Sequence, residues 1–113
     1  MNCKVAVLFI FKKEFKRLSK RYRSLLNDVQ KLQGELLAKP DLGTDLGNGL
    51  RKIRMAIQSK GKGKSGGARV ITYTIITKIE ETEINLLYIY DKSERDSISA
   101  AEIKELLKQN GFL

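Results

Sequence analysis

Apolar and polar positions follow two different periods along this chain, and the changes of period mark its elements. Residues 3–10 are an almost unbroken run of β-branched and apolar side chains, which predicts a buried first strand. Phe11, Phe15, Leu18 and Tyr22 then recur at helical spacing, predicting a helix over about 12–21. Ser24 is placed to cap a second helix, with Asp28 in its first turn. Leu25, Val29, Leu32 and Leu36 mark the inner face of that helix to about Ala38, and Pro40 stops it. Residues 39–49 read as turn chemistry throughout. Strands are expected over 50–58, 68–77 and 83–90, joined by a Gly/Lys loop at 59–67 and a turn at 78–82. Ser99 opens a capping box with Glu102, Ile103, Leu106 and Leu107 line the last helix, and Gly111 suits its end.

The order is therefore β-α-α-β-β-β-α, an α+β fold. A small, mostly antiparallel four-stranded sheet should carry a helical hairpin on one face and a C-terminal helix. Three successive strands form a meander, and the first strand joins it at an edge or beside a central strand. With no repeat and no long linker, 113 residues form one domain, 1–113.

Composition narrows the class. The longest apolar run, 5–11, is far too short to span a membrane, and no cleavage site follows it, so a cytoplasmic protein is expected. A single cysteine allows no intramolecular disulfide, and Cys3 reads as a buried, inert thiol. With no histidine and one cysteine, metal-ligand spacing is absent, and neither metal nor cofactor is expected. The net charge of +9 is uneven. Residues 1–67 hold 16 Lys+Arg against 5 Asp+Glu, or +11, whereas residues 68–113 hold 6 against 8, or −2. That asymmetry favours a polyanion approached from one side.

Residues 49–69 contain Arg51, Lys52, Arg54, Lys60, Lys62, Lys64 and Arg69 and no carboxylate. The Gly-rich middle of this stretch lacks bulky side chains, so its N–H groups could approach a phosphate. It is not a P-loop, because Lys64-Ser65 leads into a strand rather than a helix. Alternation places Lys52, Arg54 and Ala56 on one face, and Arg51, Ile53, Met55 and Ile57 on the other. On the last strand, Leu87 and Ile89 should share a face, with Tyr88, Tyr90 and Lys92 opposite. If strands pair in sequence order, Lys52, Arg54, Arg69, Tyr88, Tyr90 and Lys92 gather on one open face, rimmed by Lys60, Lys62 and Lys64. Such a surface suits single-stranded RNA. Arg54 and Arg69, as neighbouring outward guanidiniums, repel unless an anion joins them. The tyrosines fit sheet packing as well as base stacking. The first-helix stripe Lys12, Lys13, Lys16, Arg17, Lys20, Arg21 and Arg23 fits a solvated face.

The Leu-Arg-Lys-Ile-Arg strand, the Gly-Lys-Gly-Lys-Ser-Gly-Gly-Ala-Arg-Val-Ile segment and the Leu-Leu-Tyr-Ile-Tyr-Asp-Lys-Ser-Glu strand end resemble the RelE/ParE superfamily of bacterial toxins, most closely its RelE/HigB-like branch. The resemblance covers nearly the whole chain. It implies the toxin of a type II toxin–antitoxin module, a ribosome-dependent mRNA endonuclease neutralised by a cognate antitoxin. The partners so implied are that antitoxin and the ribosome with its mRNA. The family's two alternating basic residues match Lys52 and Arg54, its arginine at the next strand start matches Arg69, and a basic residue after the last strand matches Lys92. These four are the implied catalytic residues, and Arg51, Lys60, Lys62, Lys64, Tyr88 and Tyr90 the expected RNA contacts. Some relatives place a tyrosine near the start of the last helix; Ser99 stands there in this chain, so the role is vacant or falls to Tyr90.

The implied chemistry is attack of a 2′-OH on the adjacent phosphate, leaving a 2′,3′-cyclic phosphate. Lys52 would be the base, Arg54 and Arg69 would hold phosphoryl oxygens, and Lys92 would be the acid. Two other readings remain open. One is a ParE-like inhibitor of DNA gyrase, which does not need Lys52, Arg54 and Arg69 on an open face. The other is a catalytically inactive module that binds antitoxin or RNA.

Overall fold

The structure, a computed structural model, describes residues 2–78 and 80–113. Its elements are β1 (Asn2–Val7), α1 (Phe9–Ser19), α2 (Leu25–Ala38), β2 (Thr44–Gly47), β3 (Leu50–Met55), a 3-10 turn (Gln58–Lys60), β4 (Ala68–Lys78), β5 (Glu81–Asp91) and α3 (Ala100–Gln109). The sheet has five strands in the order β1-β5-β4-β3-β2. All neighbours are antiparallel except β1 and β5, which run parallel.

Three expectations are corrected. The sheet is five-stranded and mixed, because Thr44–Gly47 pairs with β3 instead of remaining a loop. Asn48 and Gly49 both take positive φ, at 54° and 83°, and form the two-residue connection of a β-hairpin. The apolar run 5–11 is divided between two elements. The strand ends at Val7 and the helix begins at Phe9, since Phe11 and Leu18 must both reach the sheet from one helical face. Leu87 and Ile89 do not share a face. Tyr88 pairs with Ile71 and Leu86 with Thr72, which leaves Leu87 as the extra residue of a bulge. The expected turn at 78–82 includes Ile79, which lies outside the described residues.

The sheet is packed on both faces. Phe11, Leu18, Leu25, Val29, Leu32 and Leu36 of the helical hairpin close over Ile53, Met55, Val70, Ile84, Leu86 and Ile89. On the other face Ile103 and Leu107 of α3 close over Ile71 and Leu87, with Leu50, Tyr73 and Tyr88 at the margin. Ring contact between Tyr73 and Phe112, 5.0 Å between centroids, fastens the chain end there. The capping box forms as expected: Ser99 N donates to Glu102 Oε1 and Glu102 N to Ser99 Oγ, both at 3.1 Å. Ser24 does stand at the start of α2, but its hydroxyl makes no capping bond. It meets Asp28 and Ser59 instead, tying the helix to the loop after β3. Since α3 covers only part of its face, the sheet beyond Ile71 is left to polar side chains.

Candidate RNA-facing surface

The uncovered part of that face is built by strand register. Arg54 of β3 lies opposite Arg69 of β4, which in turn lies opposite Tyr90 of β5. One row closer to α3, Lys52 lies opposite Ile71, and Ile71 opposite Tyr88. Period-two alternation does the rest, placing Lys52, Arg54, Arg69, Tyr88 and Tyr90 on a single side. The pairing in sequence order that gathers these residues is thus present.

Arg54 is exposed, and neither Lys52 nor Arg54 has a hydrogen bond or ion pair with any described residue. Lys52 lines two cavities. One is a cleft of about 300 Å³ shared with Lys31, Arg54 and Lys64; the other is an apolar groove of about 530 Å³ beneath α3.

Arg69 is different. Only 7% of it reaches solvent. Its Nη1 donates to the carbonyls of Lys64 (3.0 Å) and Ala68 (3.2 Å), and Nη2 to that of Ser65 (3.3 Å). A guanidinium has five N–H groups, so Nε–H and one Nη2–H have no partner among the described residues. The Gly/Lys loop therefore serves this face through carbonyls that grip Arg69. Its glycine N–H groups are in part taken up within the chain: those of Gly61, Gly66 and Gly67 bond the carbonyls of Gln58, Lys62 and Lys64. Gly67 has no room for a side chain, since a Cβ there would lie 2.1 Å from the Met55 carbonyl oxygen.

Tyr90 is 2% exposed, and its hydroxyl has no hydrogen-bond partner among the described residues. Its ring is covered by Tyr88, 6.2 Å away between centroids, and by the Arg95 guanidinium at 5.5 Å. Burial pushes the Tyr90 hydroxyl pKa up, more strongly than the nearby charges of Lys92, Arg69 and Arg95 draw it down. It therefore stays protonated at neutral pH. Lys92 Nζ is held by Asp96, 2.6 Å from its carbonyl and 2.7 Å from Oδ1. The ammonium in turn holds the Asp96 carboxyl below the usual carboxylate range.

The remaining expected contacts are dispersed. Lys62 and Lys64 are exposed on the loop, and Tyr88 is half-buried. Arg51 points to the opposite face, where Nε bonds the Asp41 carbonyl at 3.0 Å and Nη1 lies 3.8 Å from Asp45. Lys60 also turns to that side, its Nζ 2.6 Å from Asp91 Oδ1. Arg95 had no signal in the sequence. It reaches Tyr90 only because the chain turns back after β5, where Glu102 at 2.6 Å and the Ser97 carbonyl at 2.9 Å anchor it. Among the described residues no cluster of three metal-ligating side chains exists, and no helix is long and apolar enough to cross a membrane.

Tyr90, expected as an RNA contact, lies buried beneath Tyr88 and Arg95 because the chain folds back over it. The arrangement offers the exposed Arg54 guanidinium, Lys52 and Lys92 beside a largely buried and fixed Arg69 guanidinium. Together these can hold a phosphate oxyanion and stabilise added negative charge. A family model described as the RelE toxin of the RelE/RelB toxin–antitoxin system matches residues 9–111, a stretch that includes every side chain of this surface. Toxins of that family are generally ribonucleases, each held by a cognate antitoxin. With the match running from the start of α1 to Gly111, the chain belongs to the RelE toxin family and is the toxin of a toxin–antitoxin system.

Proposed function

We propose that this toxin is a ribosome-dependent mRNA endonuclease that stops translation by cutting the message. The observation that carries the reading is the cross-strand pair Arg54–Arg69, with Lys52 one step along β3, at the part of the sheet that α3 leaves uncovered. Arg69 and Arg54 would bind the nonbridging oxygens of the scissile phosphate. Lys52 would accept the proton of the attacking 2′-OH. The 2′-oxygen forms the new P–O bond, the P–O5′ bond breaks, and Lys92 would return a proton to the leaving oxygen once RNA displaces Asp96. Exposed Lys62 and Lys64 would steer the backbone. With no histidine in the chain, proton transfer falls to groups poorly matched to neutral pH. The rate must then come from geometry, and a ribosome that bends mRNA into in-line alignment can supply it.

The test adds purified toxin to a cell-free translation reaction and maps new mRNA ends. Cleavage within translated codons, products ending in 2′,3′-cyclic phosphate and little cutting of naked RNA are expected. Efficient cutting of naked RNA would remove the ribosome from the mechanism. Intact mRNA together with trapped DNA gyrase would replace the reading with a gyrase inhibitor.

A further inference from the structure

The function proposed above does not use the most deeply buried charge in the molecule. Asp91, at the end of β5, is fully buried on the helix side of the sheet. Its carboxylate accepts hydrogen bonds from Lys60 Nζ (2.6 Å), the Tyr22 hydroxyl, Ser93 N (2.9 Å) and Ser93 Oγ (2.8 Å). Lys60 also donates to Ser93 Oγ at 3.1 Å and lies 5.5 Å from the centre of the Tyr22 ring. Burial pushes the Asp91 carboxyl up, but the bonds from Lys60, Tyr22 and Ser93 outweigh it and hold the group well below the usual carboxylate range.

Stability alone is a weak reason for such a pair. Apolar residues of the same volume often replace a buried ion pair at no cost. The position of the pair suggests more. Lys60 is the last residue of the 3-10 turn that opens the Gly/Lys loop, and the loop returns at Gly67, whose carbonyl accepts from Lys92 N at 3.1 Å. The end of β5 thus clamps both ends of the loop, the entry through the Asp91 side chain and the exit through the Lys92 backbone. Between the clamps, Gly61 and Gly63 take positive φ, and the side chains of Lys62 and Lys64 are exposed without a bond. Ser24 also holds Ser59 just before Lys60, and inside the segment the N–H groups of Gly66 and Gly67 bond the Lys62 and Lys64 carbonyls. The carbonyls of Lys64 and Ser65 in turn orient the Arg69 guanidinium.

We infer that Asp91 and Lys60 are positioning residues: their ion pair holds the loop entry, the loop carbonyls fix the Arg69 guanidinium, and Arg69 is thereby kept in place opposite Arg54. This inference rests on the ribonuclease reading for its consequence in rate, but not for the coupling itself.

The experiment is a mutant cycle. Lys60→Met/Asp91→Asn removes both charges at similar volume, and Asp91→Asn alone, which leaves the partly exposed Lys60 ammonium rather than a sealed carboxylate, is the second variant should the double one fail to fold. Each is made in the wild-type and Arg69→Ala backgrounds. On ribosome-bound mRNA, Arg69→Ala should lower kcat about a hundredfold. The pair variant should lower kcat roughly tenfold with KM almost unchanged, and less than about twofold further once Arg69 is gone. Equal losses in both backgrounds would show that the pair does not act through Arg69 and would overturn the inference. A second readout needs no catalysis: NMR of the Arg69 side chain. Hindered rotation with separate Nη–H signals is expected in wild type, and averaged signals in the pair variant. Unchanged Arg69 signals would overturn the positioning role whatever the kinetics. A wild-type protein that cuts no mRNA would sink the ribonuclease reading and leave the NMR result to decide the coupling.

Discussion

Arg54 and Arg69 stand directly opposite each other on β3 and β4, yet only Arg69 is buried. Two like charges at a cross-strand pair normally destabilise a sheet. Here three backbone carbonyls take up part of one charge, while water screens the other. The pair remains short of negative charge, which is what a phosphate would supply.

Arg69→Ala should abolish growth inhibition while the protein stays folded. Losing one charge-assisted contact to a developing oxyanion costs on the order of 3 kcal/mol, about a hundredfold in rate. Arg69→Lys should rescue little, because an ammonium cannot grip the loop carbonyls and still present a fork. Growth assays beside melting curves check this, and full toxicity in a folded Arg69→Ala protein would remove Arg69 from the site.

Tyr90→Phe should stabilise the free toxin. A buried hydroxyl without a partner costs about 1–3 kcal/mol, and phenylalanine keeps the ring stack with Tyr88 and Arg95. Because the hydroxyl is sealed from solvent, cleavage should change little as the melting temperature rises. Denaturant titration and mRNA cleavage rates measured on the same preparation test both halves, and a destabilised variant would show that the hydroxyl is satisfied in solution.

Gly67→Ala should destabilise the protein by about 2 kcal/mol or more, because the new Cβ meets the Met55 carbonyl and the backbone must move. Toxicity should fall with it, since the shift would carry away the loop carbonyls that hold Arg69. Wild-type stability in urea would contradict the close approach.

Acid should weaken the fold through Asp91. A carboxyl whose folded pKa lies below its unfolded value, near 3.8, adds stability that is present above that value and lost as pH falls through it toward the folded pKa. Wild-type stability should therefore drop below about pH 4, and Lys60→Met/Asp91→Asn should show a shallower drop. Equal slopes by urea denaturation across that range would argue against the linkage.

Antitoxin association should slow as salt rises. The chain carries +9, made up of +11 in residues 1–67 and −2 in residues 68–113, so a neutralising partner that masks the basic face needs acidic residues. Stopped-flow association between about 50 and 500 mM salt measures this, and a flat rate would point to neutralisation away from that face.

Much of this was legible in the chain. Period-two alternation put Lys52 and Arg54 on one face, and helical spacing put Phe11, Leu18, Leu25, Val29, Leu32 and Leu36 against the sheet. Both follow from local geometry, which repeats without regard to the rest of the fold. The Asn48-Gly49 hairpin was also written in the sequence, but its short strand lay among turn residues and looked like more loop. Other features were not local. The Leu87 bulge came from fitting β5 to both β4 and α3 at once. Whether a lysine or arginine faces solvent or a partner depends on the path the chain takes around it, and composition cannot report that path. Lys60, the first lysine of a loop that looked uniformly basic, is drawn inward by Asp91, 31 residues away. Arg69 is gripped by the loop that precedes it, and Arg95 is folded back over Tyr90. Local alternation settles which charges share a sheet face; packing settles which of them are free to meet a phosphate, because burial and pairing are set by what lies against each side chain.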